Sequence, residues 1–345
     1  MSENENFTID QVAEPEDLQN VIYSMVAIPH LSPVNIFNDF ASAMPDPKEV
    51  GKEDLSEAGI FQIDSEGKLF SLIIYADHRR LAVDPFVAAQ IIVAKAVRRL
   101  VCYGAEPTAM SAFLNNVAFA NPLAQEMVVA ARLGLDAAAS AFNLQFSHRK
   151  IYYDYSNDND FIPPTLIVSL VGKMENREQL LTPKLKEKGH NILLIGRTYN
   201  DINASEYLDH YHEIKEWPLM HFNLAAESKL MTVMKELIKK ELVVSASPVG
   251  IGGLFFTLLR DALPNELGFD ITTDAEIRTD AFLFGEGMGR IVVTVSDEKE
   301  DEFVDFLFAR KIPVITLGHV TKGEIRIDDK SFGFVDKGVA SEIEV

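Results

Sequence analysis

The stretch PFVAAQIIVAKAVRRLVCYGA, residues 85–105, constrains the fold more than any other part of the chain. Ala, Ile, Val and Leu recur in it at helical spacing, and Gly104 sits where a C-terminal cap belongs. EPTAMSAFLNN (106–116) then reads as a strand, and AQEMVVAARLGLDAAASAFN (124–143) as a second long helix. GIFQIDSEGKLFSLIIYAD (59–77) predicts a β-hairpin, because alternating apolar residues flank the turn signal SEG. KIYYDY and TLIVSLVGKM read as further strands. NILLIGRT opens a second half with a buried strand, and LAAESKLMTVMKELIKKELV (224–243) is an amphipathic helix. SASPVGIGG reads as a turn into the helix FFTLLRDAL, and RIVVTV, EDEFVDFLFARK and VITLGHV read as strand, helix, strand. Strands alternating with helices in both halves predict the α/β or α+β class.

The length of 345 residues allows two domains, and 47% apolar residues supply their cores. The expected division is a flexible acidic lead-in (1–20), an N-terminal domain (21–173), a linker (174–190) and a C-terminal domain (191–345). MENREQLLTPKLKEKGH, the linker, is charged and interrupted by Pro. VIYSMVAIPHLSPVNIFNDF (21–40) reads as a helix, a Pro-bounded turn and a second helix, and DPKEVGKEDL (46–55) as a charged loop.

A net charge of −20 repels phosphate-bearing partners from most of the surface and argues for solubility. Nucleic-acid binding needs a basic face, which the chain lacks. The single cysteine, Cys102, rules out an intrachain disulfide framework and reads as a small core residue. The longest uncharged run, 242–259, is broken by Ser, Pro and Gly into strand, turn and helix start, so no membrane span is expected. The N-terminus has no apolar signal core, so the expectation is a cytoplasmic protein.

Arg79, Arg80, Lys95, Arg98 and Arg99 form a cationic group. They either bind a small anion through guanidinium forks, or turn to solvent and pair with Asp77, Asp84 or Glu106. His78, between Asp77 and Arg79, is an acid–base candidate or a strand-end histidine. His210 and His212, in DHYHE with Asp209 and Glu213, form either a metal-binding pair or a solvated loop. His148, His190, His221 and His319 show no helical ligand spacing. VGIGG lacks the spacing of a Walker loop or a dinucleotide fingerprint.

Five segments in order carry a resemblance: VDPFVAAQIIVAKAVRRLVCYGAEPTAMSAFLN (83–115), IPPTLIVSLVG (162–172), SEYL (205–208), SASPVGIGGL (245–254) and LFGEGMGRIVVTV (283–295). Together they resemble one repeat of formylglycinamidine ribonucleotide (FGAM) synthetase, a relative of aminoimidazole ribonucleotide (AIR) synthetase. The resemblance implies an AIR-synthetase-like N-terminal sheet domain that pairs into a dimeric barrel, plus a C-terminal α/β domain. It implies ATP and Mg²⁺ as cofactors and a homodimer, with any ammonia supplied by a partner.

It also implies a changed site. Where the family carries a Glu and an Asn on the long helix, this chain has Lys95 and Arg99, which offer no lone pairs to a hard cation. These two are expected to point toward Asp77 or Asp84, the remaining candidate metal carboxylates. Ala112 stands at a family acidic position. In Ser245–Gly253 the family's His and both acids are replaced, Pro248 removes an N–H donor, and Gly252 and Gly253 remain. FSHRKIYYDYSND (146–158) replaces a segment of small residues. Asn115, Gly252, Gly253, Glu286 and Arg290 join Asp77, His78, Arg79, Arg80, Asp84, Lys95 and Arg99 as nucleotide- or anion-binding candidates. For Glu286 and Arg290 the other reading is a salt bridge that fixes a turn. The expected function is a catalytically degenerate homologue, a pseudoenzyme with a scaffold or ligand-binding role. The alternatives are an active ATP-dependent ligase of purine biosynthesis and a phosphate or nucleotide sensor.

Overall fold

The computed structural model describes residues 8–31, 59–62, 69–155, 162–174 and 180–335. The expected helix at 33–40, the loop at 46–55 and the hairpin turn at 65–67 lie outside them. The described residues fall into two compact units, one drawn from 59–181 and 221–240, the other from 8–31, 182–220 and 241–335. The first α-helix among the described residues, α1 (Leu18–Val26), belongs to the second of these.

The 59–181 unit is built on a five-stranded sheet of order β1-β2-β5-β3-β4. Its strands are β1 (Gly59–Gln62), β2 (Leu69–Asp77), β3 (Glu106–Ala118), β4 (Gln145–Asp154) and β5 (Thr165–Met174). β1 and β2 pair antiparallel, as the hairpin pattern predicts. β4 runs parallel to β3, and the other pairs are antiparallel. Side chains alternate across the sheet. Ile73, Met110, Ala112, Leu114, Leu166, Val168 and Leu170 point to one buried face. That face packs against α3 (Pro85–Cys102), which follows the short α2 (Arg79–Val83). The opposite face carries Leu72, Ile74, Phe113, Ile167 and Val171, half-buried or exposed, with Ile74 60% exposed.

α3 is buried along nearly its whole length because α4 (Pro122–Ala141) and α5 (Leu224–Lys239) pack on it as well. α5 thus joins the first unit, although the expected division put 191–345 together. Its amphipathic stripe, including Leu230, Met234 and Leu237, finds its partner surface there. Ser228 Oγ donates to the Ala141 carbonyl at 2.8 Å, and Lys235 Nζ lies 2.9 Å from Glu106 Oε1. A periodic stripe shows that a helix must bury one face; it does not say against what.

The second unit holds a seven-stranded sheet of order β12-β11-β8-β10-β6-β9-β7. The strands are β6 (Asn191–Ile195), β7 (Ser245–Pro248), β8 (Gly268–Ile271), β9 (Ile291–Val295), β10 (Val314–Thr321), β11 (Glu324–Ile327) and β12 (Lys330–Phe334). The largely apolar β6 and β9 lie inside the sheet, and β9 is buried at every position. SASP, expected as part of a turn, is edge strand β7, and Pro248 ends it where a missing N–H costs little. α6 (Gly253–Ala262), α7 (Thr279–Phe284) and α8 (Glu300–Ala309) complete the unit. Among the described residues no helix is long and apolar enough to cross a membrane.

Candidate functional site

In the first unit, Asp77 ends β2. Its Oδ1 accepts the Arg80 N–H at 2.9 Å, and its Oδ2 lies 2.9 Å from Arg80 Nη1. Asp84 caps α3: its Oδ1 accepts the N–H groups of Phe86 and Val87 at 3.0 Å, with Pro85 at the first helical position. Both carboxylates are therefore engaged locally. His78 is exposed and Arg79 half-buried.

On α3, Lys95 is half-buried, and Arg98 and Arg99 are buried. Arg98 Nε lies 3.9 Å from Glu227 Oε2, and both side chains are almost fully enclosed. The expectation that Lys95 and Arg99 reach toward Asp84 is corrected. A helix rises about 1.5 Å per residue, which sets Lys95 roughly 16 Å and Arg99 roughly 22 Å beyond Asp84. Asp77 is held by Arg80. Glu106 pairs with Lys235 rather than with the cationic group's arginines. Ala112 lies buried under the helices. Asn115 is half-buried beside a bulge in β3, where Asn116 adopts φ 58°. Cys102 is enclosed in the core, as its apolar neighbours predict.

In the second unit, Glu286 is a buried hub. Its Oε1 accepts the Gly252 N–H at 3.0 Å and the Glu206 N–H at 2.9 Å. It ties the glycine turn to the segment after β6. Gly252 and Gly253 have φ 79° and 75°. A Cβ on Gly253 would lie 2.6 Å from the Leu283 carbonyl oxygen, so only glycine fits this turn. Arg290 is buried and donates to the carbonyls of Phe282, Gly285 and Gly287. Ser247 Oγ donates to Asp261 Oδ1 at 3.2 Å, and Ser245 Oγ lies 2.6 Å from Thr294 Oγ1. Both hydroxyls are directed into the core.

Beside this hub, residues Tyr207–Tyr211 form a π-helical turn rather than a plain loop. Such turns recur at functional sites. The turn separates the expected histidine pair. His212 packs edge-on against Tyr207 and Tyr211, and burial lowers its basicity. His210 turns instead to Glu206, with Nε2 3.0 Å from Glu206 Oε2. His30, from the segment after α1, brings its Nε2 within 3.0 Å of the same oxygen. The hydrogen bond to Glu206 raises the basicity of His30, with burial opposing it. Sequence reasoning marked His210 and the SEYL segment; nothing in the sequence pointed to His30. Tyr207 donates to Asp280 Oδ2 at 3.0 Å, and Arg278 joins Asp280 to the carbonyls of Ile9 and Val12.

The family described as AIR synthase related protein, C-terminal domain, matches residues 187–330. The PurL subunit of phosphoribosylformylglycinamidine synthase from Alkaliphilus metalliredigens is 28% identical over 330 residues, 95% of this chain and 44% of that protein. The Caldanaerobacter subterraneus PurL subunit is 25% identical over 95% of this chain and 45% of its own length. The chain thus spans less than half the length of these curated relatives. Among solved structures, T. maritima PurL complexed with FGAR superposes with a TM-score of 0.74 at 15% identity, over 95% of this chain and 54% of that one. A thiamine-monophosphate kinase from Stenotrophomonas maltophilia shares the fold at a TM-score of 0.56 and 14% identity, over 79% of this chain and 92% of its own. Residues 187–330 thus match the AIR synthase related C-terminal family, and the chain is similar in sequence and fold to a part of PurL.

Proposed function

We propose that this PurL-like repeat is a catalytically degenerate member of the purine-biosynthesis group, with a binding or scaffold role. One observation carries the reading. At the helix positions that the resemblance matches to metal-holding residues, α3 bears Lys95 and the buried Arg99, beside the buried Arg98 and Glu227. Phosphoryl transfer depends on positioned Mg²⁺ neutralising the phosphates, and cations at that place oppose it. Asp77 and Asp84 are occupied with Arg80 and the α3 N-terminus. Ser247, at the family's His position, bonds inward to Asp261 and offers no proton relay.

The open sheet face around Leu72, Ile74, Phe113, Ile167 and Val171 is where a second copy would pair to form a homodimer, which we place in the cytoplasm. Thermal unfolding of the full chain with ATP, with and without Mg²⁺, tests the proposal, since a ligand bound only by the native state raises stability. No Mg²⁺-dependent stabilisation is expected. The second reading is an active ATP-dependent ligase, favoured by the retention of Asp77 and Asp84. ATP hydrolysis that requires formylglycinamide ribonucleotide and is lost in Asp77→Asn or Asp84→Asn would establish it and overturn the first. Stabilisation by ATP without Mg²⁺ would instead favour a nucleotide sensor built on the cationic group.

A further inference from the structure

We propose that His30, Glu206 and His210 form a binding site for a divalent transition ion of the zinc class, separate from the α3 positions where the resemblance sets Mg²⁺. Each residue offers one ligand atom, and the three atoms lie within 4.8 Å of one another. Glu206 Oε2 stands 3.0 Å from both imidazole Nε2 atoms. Around an ion with ligand bonds of about 2.0–2.2 Å, tetrahedral neighbours are roughly 3.3–3.5 Å apart. Glu206 Oε2 need draw back by only a few tenths of an ångström, and the two partly exposed imidazoles can rotate to close on an ion at the centre. The imidazole rings are tilted at 58° with centroids 5.6 Å apart, so their nitrogens converge on the carboxylate while the rings stay clear of each other.

The fold prepares this geometry. Glu206 and His210 are four residues apart across the π-helical turn, which sets both on one side of it. The Glu206 N–H is anchored on Glu286 Oε1 at 2.9 Å, so the ligand's backbone is held by a buried group. Such outer contacts orient ligands and sustain affinity. Asp209 Oδ2 lies 3.5 Å from His210 Nε2, and its other oxygen is 3.3 Å from Lys215 Nζ. It adds negative charge at the edge of the site.

The donor set selects the ion. Two imidazoles and one carboxylate suit Zn²⁺, Co²⁺ or Ni²⁺, whereas Mg²⁺ takes oxygen ligands in near-ideal octahedra. Three protein donors leave at least one position for water or an exchangeable ligand.

The test uses the full chain, stripped with a chelator and desalted. Titration with Zn²⁺ by calorimetry, and with Co²⁺ by visible absorption, should give one saturable site per chain. Mg²⁺ should give none. His30→Gln and Glu206→Gln should each weaken Zn²⁺ binding roughly tenfold or more. His319→Gln, at an exposed position of β10, should leave it unchanged. His30 is half exposed, so its replacement should not disturb folding, and the emission of the buried Trp217 checks this. Failure of Zn²⁺ to bind at one equivalent overturns the proposal. So does equal Zn²⁺ affinity in a folded His30→Gln/Glu206→Gln double variant.

Discussion

Replacing Glu286 by Ala should destabilise the second unit far more than removal of a typical surface carboxylate. Oε1 accepts two N–H groups, from Gly252 and Glu206, in a buried setting. Hydrogen bonds to a charged group contribute about 1.5–3 kcal/mol each. Their joint loss sets a gross figure of about 3–6 kcal/mol, reduced because a buried charge is removed as well. About 3 kcal/mol is the expected net cost. For a unit of this size each kcal/mol shifts Tm by about 2–4 °C, so the fall should be about 6–12 °C. Glu286→Gln keeps one acceptor oxygen and should lose roughly half as much. The assay is selective, because the chain's single tryptophan, Trp217, is buried in this same unit. Its emission during heating reports the unit directly. A fall of less than about 2 °C for Glu286→Ala would refute the hub as a stabilising element. Equal falls for Ala and Gln would refute the hydrogen-bond argument.

Gly253→Ala combines a positive φ with a contact against the Leu283 and Phe284 backbone. Strain of this type costs about 1–3 kcal/mol before the clash is added, and the urea midpoint read by Trp217 should fall accordingly. Arg98→Met leaves Glu227 in the interior without that guanidinium and should cost about 3 kcal/mol or more, measured by loss of helical circular dichroism. Adding Glu227→Leu should recover most of the loss, and an additive double variant would argue against the pairing. Ile74→Lys, on the open face of the first unit's sheet, should change stability by less than about 0.5 kcal/mol. It should nevertheless shift sedimentation toward monomer; unchanged sedimentation of a dimeric wild type would exclude that face as the interface.

Local order was legible in the sequence wherever a short-range rule governs it. The helical spacing of 85–105 and its glycine cap became α3 and the turn at Gly104. The alternation in 59–77 became β1 and β2. The glycines at 252–253 marked a turn that side chains cannot enter. The ordered segments 83–115, 162–172, 205–208, 245–254 and 283–295 carried the resemblance, and the fold is similar to that of PurL. These features depend on dihedral preference and on contacts a few residues apart.

Tertiary structure decided the rest, because it depends on which distant surfaces meet. α5 shows its apolar stripe in the sequence, yet only packing assigns it to the 59–181 unit, where it lies against α3 and α4. The sequence marks Asp77 and Asp84 as available carboxylates; the structure engages them with Arg80 and with the first turn of α3. His210 and His212 read as a metal-binding pair or a solvated loop, but the π-helical turn packs His212 on Tyr207 and Tyr211 and presents His210 to Glu206. His30 completes that cluster from the far end of the unit's sequence. No periodicity or spacing encodes a meeting of that kind, since side chains so distant in sequence are brought together only by burial of the apolar surfaces between them.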